Sequence, residues 1–275
     1  MRILGVYIKN FQGINELEVD TNANIIVVNG VNGSGKTSFI SAIEWCLCVN
    51  HYWNINLKKQ ETIVRLNIEQ NGVFYTLEAR RSFQNEEAKP LFFITKDSQR
   101  KEVKYNEYVT FVKEELLLCN PHFDINFINA LYYGSKKGIG INFSGENLKK
   151  INEYANKLGF PIPKRRLVFA ENLDCDIYDG NRKLSGGYYS SGDNVLRMTV
   201  AKIIAVKFIE ELFKNKSAEK NVLPLFIDDV FLMISNEYVF YLCEYLQNLD
   251  NQIFVTNNNS LQLNFDAKKV KYVNL

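Results

Sequence analysis

The chain has 275 residues, 46% hydrophobic and 23% charged, the make-up of an ordinary soluble globular protein with length for a substantial core. A net charge of +2, from 33 Lys and Arg against 31 Asp and Glu, excludes a global field drawing the chain to nucleic acid or anionic membrane. The five cysteines (Cys46, Cys48, Cys119, Cys175, Cys243) follow neither a zinc nor a disulfide spacing, and no apolar run is long enough for a membrane span, so the expectation is a soluble, cytoplasmic protein with reduced thiols.

Residues 2–9 alternate as a strand, Asn10-Phe11-Gln12-Gly13 turns the chain, and residues 17–20 read as the hairpin partner. The β-branched run 25–28 suits a strand buried on both faces. It leads into Gly30-Val31-Asn32-Gly33-Ser34-Gly35-Lys36-Thr37, which fits G-x-x-x-x-G-K-[ST] at every position. A helix follows, with Phe39, Ile40, Ile43 and Leu47 at helical spacing. Strand, loop and helix thus arrive in the order a phosphate-binding loop requires. Glycines let backbone N–H groups approach phosphate oxygens, and the helix N-terminus adds its positive end. Asn32, Gly33, Ser34, Gly35, Lys36, Thr37 and Ser38 are the predicted nucleotide cradle. Lys36 supplies a mobile charge for the β- and γ-phosphates of ATP, and the Thr37 hydroxyl is a candidate Mg²⁺ ligand.

Further along, residues 62–69 and 73–80 alternate about Asn71-Gly72, a strong two-residue hairpin signal. Residues 91–95 and 102–104 continue the antiparallel run, and 105–118 read as a helix. Residues 127–133 are apolar and of either type, and 136–140 form a loop. A polar helix is expected over 147–158, closed by Gly159 and stopped by Pro161 and Pro163. Strands follow at 165–170 and 173–178, then a long helix over 194–213. The order ends with a strand at 221–227, a helix at 236–249, a strand at 252–256 and an edge strand at 270–273. The fold class is therefore α/β: a mixed core sheet, an antiparallel side sheet and a helical subregion in the middle.

The discriminating stretch is Leu225-Phe226-Ile227-Asp228-Asp229, an apolar strand ending in acids. It fits a Walker B element, with Asp228 reaching Mg²⁺ and Asp229 placed as general base or water-positioning group. Two overlapping candidates for a third element precede the long helix. Leu184-Ser185-Gly186-Gly187 is the better literal match; Ser190-Ser191-Gly192-Asp193 abuts the helix, where Asp193 could be the N-cap.

Phosphate loop, L-S-G-G signature ahead of a helix and apolar-strand acid pair, in that order, resemble the ABC-type ATPase head of P-loop NTPases. NFQGI at residues 10–14 and NGSGKTSFISAIEW at 32–45 resemble its SMC/RecF-like branch, the chromosome-maintenance, break-repair and anti-phage ATPases. The hairpin ending in Arg80-Arg81 resembles the side sheet of those heads. The resemblance implies that two copies, as a homodimer or heterodimer, sandwich ATP. The signature serines and glycines of one (Ser185, Gly186, Gly187, Ser190, Ser191, Gly192) would cap the γ-phosphate held by the other. It further implies DNA as a partner and a separate nuclease or other effector, with no membrane attachment.

Departures from the family pattern point to slow turnover. Asp229 replaces the usual glutamate, Thr256-Asn257 stands at the switch-histidine position with Asn257 as the candidate donor, Ser235 replaces an aspartate after Walker B, and no Q-loop glutamine is found near residues 133–135. About 50 residues lie between Gly134 and Leu184 in place of a long coiled coil. The expected layout is one head over 1–275: lobe one to about 135, a short insert over 136–164, and lobe two from 165. Basic pairs at residues 58–59, 80–81, 136–137, 149–150, 164–166 and 268–269 could track phosphates if several share a face. The rival readings are a non-hydrolysing ATP sensor and a transporter nucleotide-binding subunit.

Overall fold

The computed structural model describes residues 1–47, 61–82, 90–116, 145–170, 175–184, 191–214, 222–258 and 261–275. Its largest sheet is antiparallel, built from β1 (Arg2–Phe11), β2 (Ile14–Asp20), β4 (Glu61–Gln70), β5 (Val73–Ser82), β6 (Leu91–Lys96) and β7 (Gln99–Val103) in the order β2-β1-β4-β5-β6-β7. The turns make this register inevitable. Asn71 and Gly72 both take positive φ, 51° and 76°, the twist-matched geometry of a tight hairpin. Asp97 and Ser98 do the same between β6 and β7, at 48° and 64°. Alternation then sorts the faces. Val6, Leu66 and Leu77 align across three strands, as do Ile8, Val64, Ala79 and Phe92, and all are buried. Arg65, Glu78 and Arg80 take the opposite face.

Strands β3 (Ile25–Asn29), β11 (Leu225–Ile227), β12 (Ile253–Asn257) and β13 (Val270–Asn274) form a second, wholly parallel sheet ordered β11-β12-β3-β13. Ile25, Ile26, Val27 and Val28 are all buried, as expected of a central parallel strand covered on both faces. Helix α1 (Lys36–Cys46) lies between the two sheets, touching β1, β4 and β5 on one side and β12 on the other. Its burial is accordingly all-round: Phe39, Ile40, Ala42, Ile43, Trp45 and Cys46 are all in the core. Parallel and antiparallel strands are thus divided between sheets. Gln252 ties the two together. Its Nε2 donates to the carbonyls of Ile3 and Thr21, and its Oε1 accepts the Ile3 N–H at 2.7 Å.

Helix α2 (Tyr105–Phe111) passes into a π-helical turn over Val112–Leu116, so the helix expected over 105–118 runs to the last described residue of that stretch. Helix α3 (Glu146–Leu158) ends as expected at Gly159, at φ 75°. It packs on β8 (Arg165–Phe169) and on the long helix α4 (Ser191–Lys214). With β9 (Cys175–Asp179) and β10 (Arg182–Leu184), β8 makes a small antiparallel sheet; β10 has no counterpart in the sequence reading. Helix α5 (Asn236–Gln247) starts at Ser235, whose hydroxyl accepts the Tyr238 N–H. One hydrophobic cluster runs through the described elements from Ile3 to Val273. Cys46, Cys175 and Cys243 are buried, and burial pushes the Cys46 thiol up to about 12. The expectations for residues 127–133, 136–140 and Cys48 and Cys119 lie outside the described residues.

Candidate functional site

The C-terminal ends of β3, β11 and β12 meet at one edge of the parallel sheet, the position where α/β proteins collect ligands. From β3 the chain enters the loop Gly30–Thr37 and returns as α1. Two glycines are sterically required. A Cβ on Gly30 would lie 2.1 Å from Ser34 Oγ, and Gly35 takes φ 107° with Ile14 packed against it. The β1–β2 turn of the NFQGI stretch therefore leans on the phosphate loop itself. Among the described residues, Ser34 Oγ is buried with no hydrogen-bond partner, as befits a group shaped for an anion. Lys36 is 6% exposed, and its ammonium donates to the carbonyls of Gly30 at 2.9 Å and Val31 at 3.1 Å. The lysine thus lies folded over its own loop, where a phosphate would compete with those carbonyls.

Asp228 follows directly on β11. Its Oδ2 accepts a hydrogen bond from the Thr37 hydroxyl at 3.1 Å, joining residues 191 positions apart. Asp229 takes φ 54° and ψ 12°, a left-handed conformation that aspartate enters more readily than most residues, and opens the 3₁₀ turn Val230–Met233. Partial burial and the neighbouring Asp228 carboxylate push its pKa up, against a downward pull from Lys36. A carboxyl so shifted is better suited to accept a proton near neutral pH. The predicted strand over 221–227 is confined to Leu225–Ile227.

These groups fit a magnesium nucleotide. Mg²⁺ takes hard oxygen ligands at about 2.1 Å in an octahedron, so neighbouring ligands stand about 3 Å apart. The Thr37 and Asp228 oxygens already have that separation. Together with the orphan Ser34 hydroxyl and the Lys36 ammonium, they would hold the ion and the triphosphate. The bound ion would neutralise charge on the phosphates. Among the described residues no cluster of three or more His, Cys, Asp or Glu offers another metal site.

Other sequence candidates fare differently. Ser191 and Gly192 open helix α4, where first-turn N–H groups lack intrahelical acceptors. Asp193 is not the N-cap, because the helix has already begun at Ser191. Instead its Oδ1 accepts from Arg165 and from the Tyr238 hydroxyl, both at 3.0 Å, tying α4 to β8 and α5. Ser185, Gly186, Gly187 and Ser190 lie outside the described residues, as does the expected Q-loop region. Asn257, at the expected switch position, bonds within the chain. It is 3% exposed, and its amide donates to Asn29 Oδ1 at 3.0 Å and to the Leu261 carbonyl at 2.9 Å. Both amide hydrogens are used, one on the end of β3 and one on the loop after β12, so a phosphate would have to compete for them as it would at Lys36. Among the basic pairs, Arg80, Lys149, Lys150 and Arg165 are each ion-paired to a nearby acid. Sequence reasoning placed Thr256 beside Asn257 at the switch position but gave it no role of its own. The available signal was a hydroxyl residue at the C-terminal end of the strand between β3 and the Walker B strand.

No described helix is long and apolar enough to cross a membrane. A family model described as an AAA domain matches residues 6–252. An 86-residue stretch is 29% identical to the DNA replication and repair protein RecF of Clostridium acetobutylicum. That alignment covers 29% of this chain and 24% of the relative, so the chain matches about a quarter of that protein's length. The SMC head domain from Thermotoga maritima superposes with a TM-score of 0.60 at 15% identity, covering 94% of this chain and 90% of that one. An SMC head bound to the C-terminal winged-helix domain of ScpA gives 0.63 at 12% identity, with the same coverages of 94% and 90%. The recombination mediator RecF in an ATP complex gives 0.59 at 13% identity, over 99% and 97% of the two chains. By the family match the chain belongs to the AAA-domain family, and its fold is that of the SMC head and RecF structures.

Proposed function

We propose that this protein is an ATP-binding, slowly hydrolysing head that closes on a second copy around ATP and acts on DNA, with a separate effector such as a nuclease. The observation that carries the reading is the meeting of Thr37 and Asp228 at 3.1 Å, beside a lysine folded over a glycine loop. The oxygens belong to distant parts of the chain, and a magnesium nucleotide is what such a pair is suited to hold. Asp229, raised in pKa and one residue on, is the group to orient or deprotonate water.

Dimerisation is supported by apolar side chains beside the site. Val31 on the phosphate loop is 61% exposed, and Leu232 and Met233, just past Asp229, are 43% and 56% exposed. A second copy seated over the nucleotide would cover them. The start of α4 at Ser191 and Gly192 would then face the partner's γ-phosphate. DNA and effector come from the kinship with SMC and RecF proteins and add no new site on this chain.

One observation favours a second reading, the non-hydrolysing ATP sensor. The amide of Asn257 is engaged by Asn29 and Leu261, so a γ-phosphate would have to displace one of them to gain a donor at the switch position. ATPase rate and oligomeric state of wild type, Lys36→Ala and Asp229→Asn, with and without DNA, decide between them. Slow turnover lost in both variants supports the ATPase. ATP-dependent dimers with no turnover in wild type favour the sensor, and a monomer under all conditions overturns both.

A further inference from the structure

We propose that Thr256 is a positioning residue that fixes both acids of the site for magnesium, a role that rests on the ATP-binding reading above. Thr256 stands near the end of β12, 1% exposed, beside Val28 of β3 in register. Its hydroxyl donates to Asp228 Oδ1 at 2.7 Å and accepts the Asp229 N–H at 2.7 Å. A hydroxyl has one proton and two lone pairs, so it makes both bonds at once.

Each bond has its own consequence. With Oδ1 held by Thr256, Asp228 presents Oδ2 to Thr37, and the carboxylate cannot rotate without breaking a contact. One oxygen is anchored and the other is aimed. This is the arrangement by which outer partners orient a metal-binding carboxylate. The second bond secures the backbone of Asp229. In its left-handed conformation that residue is outside the strand ladder, and the threonine hydroxyl gives its N–H an acceptor. One side chain from β12 therefore sets the direction of the first acid and the backbone of the second. Neither function is served by Asn257, the adjacent residue, whose amide points to Asn29 and Leu261.

The test measures the MgCl₂ concentration needed to tighten binding of a fluorescent ATP analogue to the full chain, alongside binding in EDTA and the melting temperature. Thr256→Val keeps the side-chain shape and removes both hydrogen bonds. It is expected to raise the Mg²⁺ requirement about tenfold, with binding in EDTA unchanged and melting still above the assay temperature. Thr256→Ser keeps the hydroxyl and is expected to stay within about twofold of wild type. If the valine variant does not fold, Thr256→Ala carries the same expectation. A valine or alanine variant with the wild-type Mg²⁺ requirement overturns the proposal, as does a serine variant as impaired as the valine one. A wild type that binds ATP regardless of Mg²⁺ overturns this proposal alone, whereas a wild type that does not bind the ATP analogue overturns the nucleotide reading, and this proposal falls with it.

Discussion

Glu78 and Asp229 are carboxylates in opposite circumstances. Glu78, on the polar face of the six-stranded sheet, has a side chain only 4% exposed and receives three guanidinium groups. Arg80 Nε lies at 2.5 Å, Arg100 at 2.7 Å and Arg65 at 2.8 Å, with Arg100 also stacked on the Phe93 ring. Burial alone would raise its pKa, but hydrogen bonds from Arg80, Arg65 and Arg100 bring it below the ordinary carboxylate value. Asp229 stands next to another acid, and its pKa is raised by burial and by Asp228. The first centre is electrostatically complete within the chain; the second is left short of positive charge. A shortage at the edge of a parallel sheet is what a magnesium nucleotide would relieve, whereas a completed cluster stabilises the fold and asks for no ligand.

The sharpest test of that contrast is Asp229→Asn. Turnover is expected to fall about a thousandfold with ATP affinity nearly unchanged, checked by phosphate release and nucleotide titration. Its effect on stability should be small and favourable, below about 1 kcal/mol at neutral pH in urea unfolding, because it removes a partly screened like-charge contact. A clearly destabilised Asp229→Asn would break the comparison. Next in size, Lys36→Ala should weaken ATP binding about 100-fold, or ~3 kcal/mol, while leaving urea unfolding without nucleotide little changed. Glu78→Gln is expected to do the reverse. It should lower stability by about 2 kcal/mol by leaving three arginines without their shared anion, yet leave ATP binding intact.

The smallest effect separates the two centres by pH. The depressed pKa of Glu78 stabilises the fold above its unfolded value of 4.5, and that contribution is lost as pH falls through its lower folded pKa. Asp229, whose folded pKa is raised above 3.8, opposes folding at high pH, and this penalty disappears as pH falls below that unfolded value. Urea midpoints measured down to acid pH should therefore fall less steeply for Glu78→Gln than for wild type. For Asp229→Asn they should fall slightly more steeply.

Local chemistry made much of this molecule legible in its sequence. The phosphate loop is written contiguously from Gly30 to Thr37, Asn71-Gly72 specifies its own turn, and Gly159 ends its helix in the conformation only glycine takes easily. The Asp97-Ser98 turn was harder to see because the pair, though turn-favouring, lacks the glycine that marks a two-residue hairpin at positive φ. The β10 strand was hidden because three exposed or half-buried residues carry no hydrophobic alternation. The acids of the site could be found, but not what holds them. The Thr256–Asp228 bond joins residues 28 apart, and Asn257–Asn29 joins residues 228 apart, so only the strand order brings these partners together. The same separation explains why Asn257 reads as a phosphate donor in sequence and as a strand clasp in space.

Strand β3 is flanked by β12 and β13, both contributed by the last 25 residues of the sequence. During synthesis on the ribosome, the phosphate loop emerges long before either flanking strand exists. Until residues beyond 250 leave the exit tunnel, β3 has bare edges on both sides, and Asp228 lacks the Thr256 hydroxyl. The finished geometry at the Gly30–Thr37 loop therefore waits on strands made long after it.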